Sequence, residues 1–190
     1  METETQAAVK AGDVAKLQKL LADGVNLDAK DEDERTSLHW ACATGRLDVA
    51  EFLLEHAHAA VNVQDDAGWT PLMSAASAGH GDIVGLLLSK GADANLPNEN
   101  GQIPLHYHRV IIALLLDHGA KVNTRDVGGN TPLHLAISEG YDDIARFLIE
   151  NGANPNAKNN DEERCVDLAK PAFRAEIQML MDKKKGGSNA

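Results

Sequence analysis

The chain repeats itself about every 33 residues. The last aliphatic residue of each apolar run falls at Leu21, Leu54, Leu88, Leu116 and Ile149, with gaps of 33, 34, 28 and 33. A small residue three positions on, at Gly24, Ala57, Gly91, Gly119 and Gly152, keeps the same gaps. Upstream, Thr36-Ser37-Leu38-His39, Thr70-Pro71-Leu72-Met73, Ile103-Pro104-Leu105-His106 and Thr131-Pro132-Leu133-His134 stand in register. Two independent marks on one period mean that each unit is a small element, and that neighbours must stack to bury a shared core.

Each unit predicts a helix pair. Thr caps free amides at a helix start, and Pro takes the first helical position, where no amide is needed. Leu72, Ala75 and Ala76 give a short helix with a thin apolar face, ended at Gly79. Ile83, Val84, Leu86, Leu87 and Leu88 form a second helix, ended at Gly91. A polar stretch rich in Asp, Asn and Gly follows and suits a tight turn or hairpin. Seven aromatic residues in 190 are few for a large globular core, but thin layers of Leu, Ala, Val and Ile need no more.

One unit is short. Leu72 to Leu86 and Leu133 to Phe147 each span 14 positions, whereas Leu105 to Leu114 spans 9. Five residues are missing between Tyr107 and Leu114. Five helical residues are about 7.5 Å, more than one turn. This unit is expected to have lost its inter-helix turn and part of a helix.

These residues resemble ankyrin repeats: Thr-Pro-Leu-His and Leu-Leu-Leu-x-x-Gly-Ala at this spacing, over about residues 5 to 182. The resemblance implies an all-α ankyrin solenoid of stacked helix pairs with hairpin loops. It divides the chain into an N-terminal cap pair (about 5–27) and repeats starting near Asp31, Asp65, Asn98 and Asp126. A worn C-terminal cap follows, where Arg164-Cys165-Val166-Asp167-Leu168-Ala169 stands in for the motif. The expectation is a single domain over 1–182, about six units including caps with the fourth unit shortened. Its last helix should end near Met181, before a flexible tail over 183–190.

Composition narrows the function. With 18 Lys and Arg against 29 Asp and Glu, the formal charge is −11. Such a chain is not expected to hold nucleic acid or an anionic membrane; a basic protein surface suits it better. The longest apolar run, Val110 to Leu116, is too short to span a bilayer, and the acidic start is not expected to be a signal peptide. Two cysteines make no disulfide framework and suggest a reducing compartment.

Nothing in the sequence predicts an enzyme, a cofactor or a metal. The pairs His56/His58 and His106/His108 lack the three or four convergent ligands that a metal needs. His39, His106 and His134 occupy the motif position where ankyrin histidines bond backbone of a neighbouring repeat. Cys42 reads as a small core residue, and Cys165 has no nucleophile motif. Gly79-His80-Gly81 and Gly128-Gly129 lack the Lys-Ser/Thr of a phosphate loop.

Binding is the remaining mode. In ankyrin stacks, partners meet hairpin tips and the outer edge of each first helix, on a concave side. Register puts Asp33, Arg35, Asp66, Trp69, Glu99, Asn130 and Glu139 there; Trp40, in a first helix, reads first as a packing residue, turned partly toward that side. Acids dominate, and Arg35 is the one base, expected to meet a carboxylate on an otherwise basic partner. Trp69 is expected to be exposed, with two readings open: a binding anchor, or a ring covering the neighbouring hairpin.

Asp33-Glu34-Arg35-Thr36-Ser37-Leu38-His39-Trp40-Ala41-Cys42 and Asp65-Asp66-Ala67-Gly68-Trp69-Thr70-Pro71 narrow the resemblance. They are similar to repeats of the ankyrin family's assembly chaperones for the proteasome regulatory particle. Ala60-Val61-Asn62 and Gly79-His80-Gly81-Asp82 resemble the fungal members. That resemblance implies a protein partner with a basic surface, the C-terminal domain of a proteasomal ATPase-ring subunit. By matching position it places Asp33, Arg35, Trp40, Asp66 and Trp69 on the binding face. The repeat register predicts a monomer, expected in the cytoplasm and also in the nucleus; Lys183-Lys184-Lys185 is a short basic run that reads first as a solvated tail and second as a nuclear signal. The chain departs from those chaperones in having about six units rather than seven, and in its short fourth unit. A generic ankyrin scaffold for a signalling or transcription partner stays open. So does asparagine hydroxylation at Asn95, Asn123 or Asn156, a mark on a binding module.

Overall fold

The computed structural model describes residues 3–107 and 111–187. Within them the chain is all-α: helix pairs joined by hairpin-like turns, with one isolated bridge between Lys158 and Arg164. It divides into two compact units, Met1–Glu99 with Ile103–Ala120, and Asn100–Gln102 with Lys121–Ala190.

The first unit holds α1 (Glu4–Ala11) with α2 (Val14–Ala22), α3 (Ser37–Ala43) with α4 (Leu47–His56), and α5 (Pro71–Ala78) with α6 (Gly81–Ser89). A three-residue 3-10 turn (Pro104–His106) and α7 (Ile112–Asp117) complete it. First helices pack on first helices: α3 lies between α1 and α5, and α5 meets the 3-10 turn. Ala41, Cys42, Ala75 and Ala76 are fully buried, and these small side chains let the helices approach. Leu38, Leu53, Leu72, Met73, Ile83, Leu87 and Leu115 fill the layers behind. Each such buried aliphatic stabilises by about 1.5–3 kcal/mol relative to exposure.

The second unit holds α8 (Pro132–Ser138), α9 (Asp142–Glu150), α10 (Cys165–Leu168) and α11 (Pro171–Gly187). Leu133, Ala145, Leu148, Cys165 and Ile177 form its core. The last helix passes the expected end at Met181 and runs to Gly187. Asp and Lys over 182–185 do not break a helix, and lysines suit its negative C-terminal end. The expected tail is therefore helical over 183–187, and residues 188–190 lie outside the described residues.

The caps follow from the motif. Thr70 Oγ1 accepts from Met73 N at 3.2 Å, and Pro71 takes the first position of α5. Where the motif ends in His, the ring finishes the cap instead. His39 Nδ1 accepts from Thr36 N at 3.1 Å, and His134 Nδ1 accepts from Thr131 N at 3.1 Å. With Nδ1 accepting, the proton sits on Nε2. His39 Nε2 donates to Trp69 O at 2.9 Å, and His134 Nε2 to Glu163 O at 3.2 Å, both in the following hairpin. The motif histidines at 39 and 134 are thus structural links between repeats. Burial pushes both imidazoles below the ordinary histidine pKa.

The short unit shows what the missing residues cost. Its first helix is reduced to the 3-10 turn, against eight residues in α5. Its second, α7, has six residues against nine in α6. The connecting segment 108–110, with His108, lies outside the described residues.

Candidate functional site

Hairpin tips of the first unit are tied in sequence. Asp66 N donates to Asp33 O at 3.1 Å, and Glu99 N donates to Ala67 O at 3.1 Å. Those backbone links leave the side chains of Asp33, Asp66 and Glu99 exposed, one per tip. Successive tips approach so closely that a Cβ on Gly68 would lie 2.9 Å from Glu99 N. Gly68 also has φ +75°, a conformation costly to any other residue.

Each hairpin is organised by an acid or amide at its start. Asp65 is 6% exposed, and its Oδ1 accepts from Trp69 N at 2.7 Å and Ala67 N at 3.1 Å. Its Oδ2 accepts from Arg35 Nε of the preceding repeat at 3.2 Å. The Arg35 guanidinium thus already holds a carboxylate of its own chain, which the sequence did not show. Among the described residues it donates hydrogen bonds only from its backbone N–H and Nε. The terminal amino groups of a side chain still 41% exposed remain open to a partner.

Trp40 sits beside this pair. Its Nε1 donates to Asp31 Oδ2 at 2.9 Å, and Gln6 Nε2 donates to the same oxygen at 2.9 Å. Burial works against the Asp31 carboxylate, but the bonds from Trp40 and from the amides of Arg35 and Asp33 outweigh it and hold its pKa below the ordinary value. Lys10 Nζ lies 4.1 Å from the Trp40 ring centroid and the Arg35 guanidinium 5.5 Å, so two cations flank the indole.

Trp69 is half-buried, which corrects the expectation that it is exposed. Its ring lies 4.7 Å from that of Tyr107, tilted by 40°. Arg35, Trp40 and Trp69 border one recess of about 240 Å³, which Ala43, Ser77 and Ala78 also line. Arg35, Trp40 and Trp69, which the sequence singled out, thus lie around one recess, while Lys10, Asp31, Asp65 and Tyr107, which contact them, were not among the residues it singled out. Asp31, Asp65, Asn98, Asp126 and Asn159 form a periodic column that the sequence displays. Lys10 carries no such signal, because α1 lies outside the motif.

In the second unit, Asn130 N donates to Asp126 Oδ1 at 2.7 Å, and Asn130 Oδ1 accepts from Asn159 Nδ2 at 3.1 Å. That amide links two hairpins. Glu139 is exposed at the end of α8.

Charge divides unevenly. The first unit carries eight Lys and Arg against eighteen Asp and Glu, a formal −10; the second carries ten against eleven, a formal −1. Both cysteines are buried, and burial pushes the Cys165 thiol up to about 11 and Cys42 higher still. Burial thus favours the thiol over the thiolate at both. Among the described residues no three His, Cys, Asp or Glu side chains cluster to hold a metal, and no helix is long and apolar enough to cross a membrane.

The family model for ankyrin repeats matches residues 5–98 and 90–159. A 26S proteasome non-ATPase regulatory subunit 10 of Dictyostelium discoideum is 51% identical over 86 residues, 45% of this chain and 37% of that protein. A "Probable 26S proteasome regulatory subunit p28" of Saccharomyces cerevisiae is 40% identical over 85 residues, 44% of this chain and 37% of that protein. A protein phosphatase 1 regulatory subunit 27 of Mus musculus is 44% identical over 97 residues, 50% of this chain and 62% of that protein. The chain thus spans less than two thirds of the length of each of these relatives.

Proposed function

The chain belongs to the ankyrin-repeat family, a family of non-catalytic protein-binding modules, and from that premise we propose that it is an assembly chaperone of the proteasome regulatory particle. It holds the C-terminal domain of one ATPase-ring subunit, as a monomer, in the cytoplasm and the nucleus. The observation that carries this reading is the Arg35–Trp40–Trp69 recess, in a unit of formal charge −10 whose hairpin tips expose Asp33, Asp66 and Glu99. Relatives named as proteasome regulatory subunits, 10 (gankyrin) and p28, support it. Long-range attraction brings a basic surface to the acidic tips and speeds encounter. Residence then rests on few desolvated anchors, Trp69 and Arg35 first, with a partner carboxylate on the terminal amino groups of Arg35. Asn130 and Glu139 are secondary sites in this reading.

Titration calorimetry against the purified C-terminal domain of a proteasomal ATPase tests the proposal. Binding should weaken as salt rises, and Arg35→Glu and Asp66→Lys should each cost more than about 1 kcal/mol. Glu55→Lys is the control, since Glu55 pairs with Lys90 at 3.0 Å on second helices. Binding indifferent to salt, or unaffected by Trp69→Ala combined with Asp66→Lys, would remove the mechanism.

The phosphatase regulatory protein among the relatives favours a second reading, a scaffold for a signalling partner. Affinity purification from the native cell separates the two: proteasomal ATPases in the eluate support the chaperone, and their absence beside a phosphatase or kinase supports the scaffold.

A further inference from the structure

Successive hairpins are joined by a recurring side-chain pair. The last residue of one hairpin bonds the first residue of the next: Arg35 to Asp65 in the first unit, and Asn130 to Asn159 in the second. At Trp69 the pairing changes. Asn98, 6% exposed at the start of the next hairpin, donates from Nδ2 to Tyr107 Oη at 2.7 Å, and the Tyr107 ring lies against Trp69. A phenol is suited to this place, because it offers an apolar face to the indole and a polar end to a buried amide.

The same device occurs once more. Tyr107 occupies the first-helix position of Trp40, and each reaches the hairpin residue nine positions before it: Trp40 to Asp31, Tyr107 to Asn98. Ser74, at the equivalent position in α5, bonds Thr70 O and borders the recess as a small side chain. One wall of the recess, Trp40, is therefore fixed through Asp31, and the other, Trp69, is backed by Tyr107. Tyr107 comes from the short unit, just after its 3-10 turn.

We propose that Tyr107 is the positioning residue for Trp69, holding its indole as a preformed wall of the recess for one partner side chain; this rests on the partner-binding reading above. A side chain held before binding loses less freedom on binding. The phenol itself need not touch the partner.

Two arms on the full chain test this. In a Trp40→Phe background, where Trp69 is the sole tryptophan, acrylamide quenching of the free protein reads its mobility. Tyr107→Ala should raise quenching clearly, and Tyr107→Phe less, since it keeps the ring. In the second arm, affinity for the C-terminal domain of the proteasomal ATPase should fall about threefold to tenfold for Tyr107→Ala, the range expected for one aromatic pair. It should recover in part with Tyr107→Phe. In a Trp69→Ala background Tyr107→Ala should cost nothing further, which a general loss of stability would not reproduce. Unchanged quenching, or the same loss of affinity with and without Trp69, overturns the proposal. Failure of the unsubstituted chain to bind overturns the partner reading, while the quenching arm still reads the Trp69–Tyr107 relation by itself.

Discussion

Arg35 and Asp65 form an ion pair between successive repeats in which only one partner is buried: Arg35 keeps 41% of its side chain exposed, Asp65 2%. The two ends should respond differently to substitution. Asp65→Ala removes the acceptor for Trp69 N, Ala67 N and Arg35 Nε together. At about 0.5–1.5 kcal/mol per bond it should cost about 1.5–4.5 kcal/mol. Arg35→Ala should cost less than about 1 kcal/mol, because solvent screens its end of the pair. Urea denaturation of both variants checks the asymmetry; equal losses would contradict it.

Gly68→Ala should destabilise although it adds one methyl group to a hairpin. The φ of +75° and the 2.9 Å approach to Glu99 N both oppose a side chain. A loss of about 1–2 kcal/mol is expected from the backbone conformation alone, read as a lower urea midpoint. The same substitution should weaken partner binding, since it displaces the tips that carry Asp66 and Glu99.

Acid should loosen the repeats through His39. Burial lowers its folded pKa, and Nδ1 must stay unprotonated to accept from Thr36 N. Above the unfolded pKa of about 6.5 both states are neutral and nothing is lost. As pH falls from there toward the lower folded pKa, the unfolded chain binds the proton first, and stability declines. Below the folded pKa the loss is complete. His134 adds the same sign. NMR titration of both rings should give midpoints below about 6.5; a midpoint above it would reverse the argument.

The short unit should open first. A three-residue turn and a six-residue helix bury less apolar surface than the pairs before them, at about 25 cal/mol per Å². In a repeat array local stability follows unit and interface contributions. Hydrogen exchange should be fastest, among helical segments, between about Gln102 and Ala113. Uniform protection across all first helices would contradict this.

Reading residues 1–182 as one domain predicts a single melting transition, unchanged by chelator. Differential scanning calorimetry with and without chelator decides it. Two separate transitions would instead assign independent folding to the two compact units.

Period, helix pairs, caps and the hairpin column were legible in the sequence, because they repeat. Thr70-Pro71, Gly79 and Leu87-Leu88 act within their own unit through local sterics and apolar spacing, and a local cause leaves a local mark. Register and the family resemblance together put Asp33, Arg35, Trp40, Asp66 and Trp69 on one face. What each side chain does there was decided by tertiary contact. Arg35 reads as a lone cation until Asp65, 30 positions on, proves to hold it. Trp69 reads as exposed until Tyr107 covers part of it, and Tyr107 arrives there from the unit with missing residues. Lys10 comes from a cap helix without the motif, and its place over Trp40 depends on how α1 packs on α3. Periodicity specifies which residues share a face; it does not specify which of two neighbours will reach across a gap of a few ångströms, because that depends on side-chain length and on the packing of the next layer.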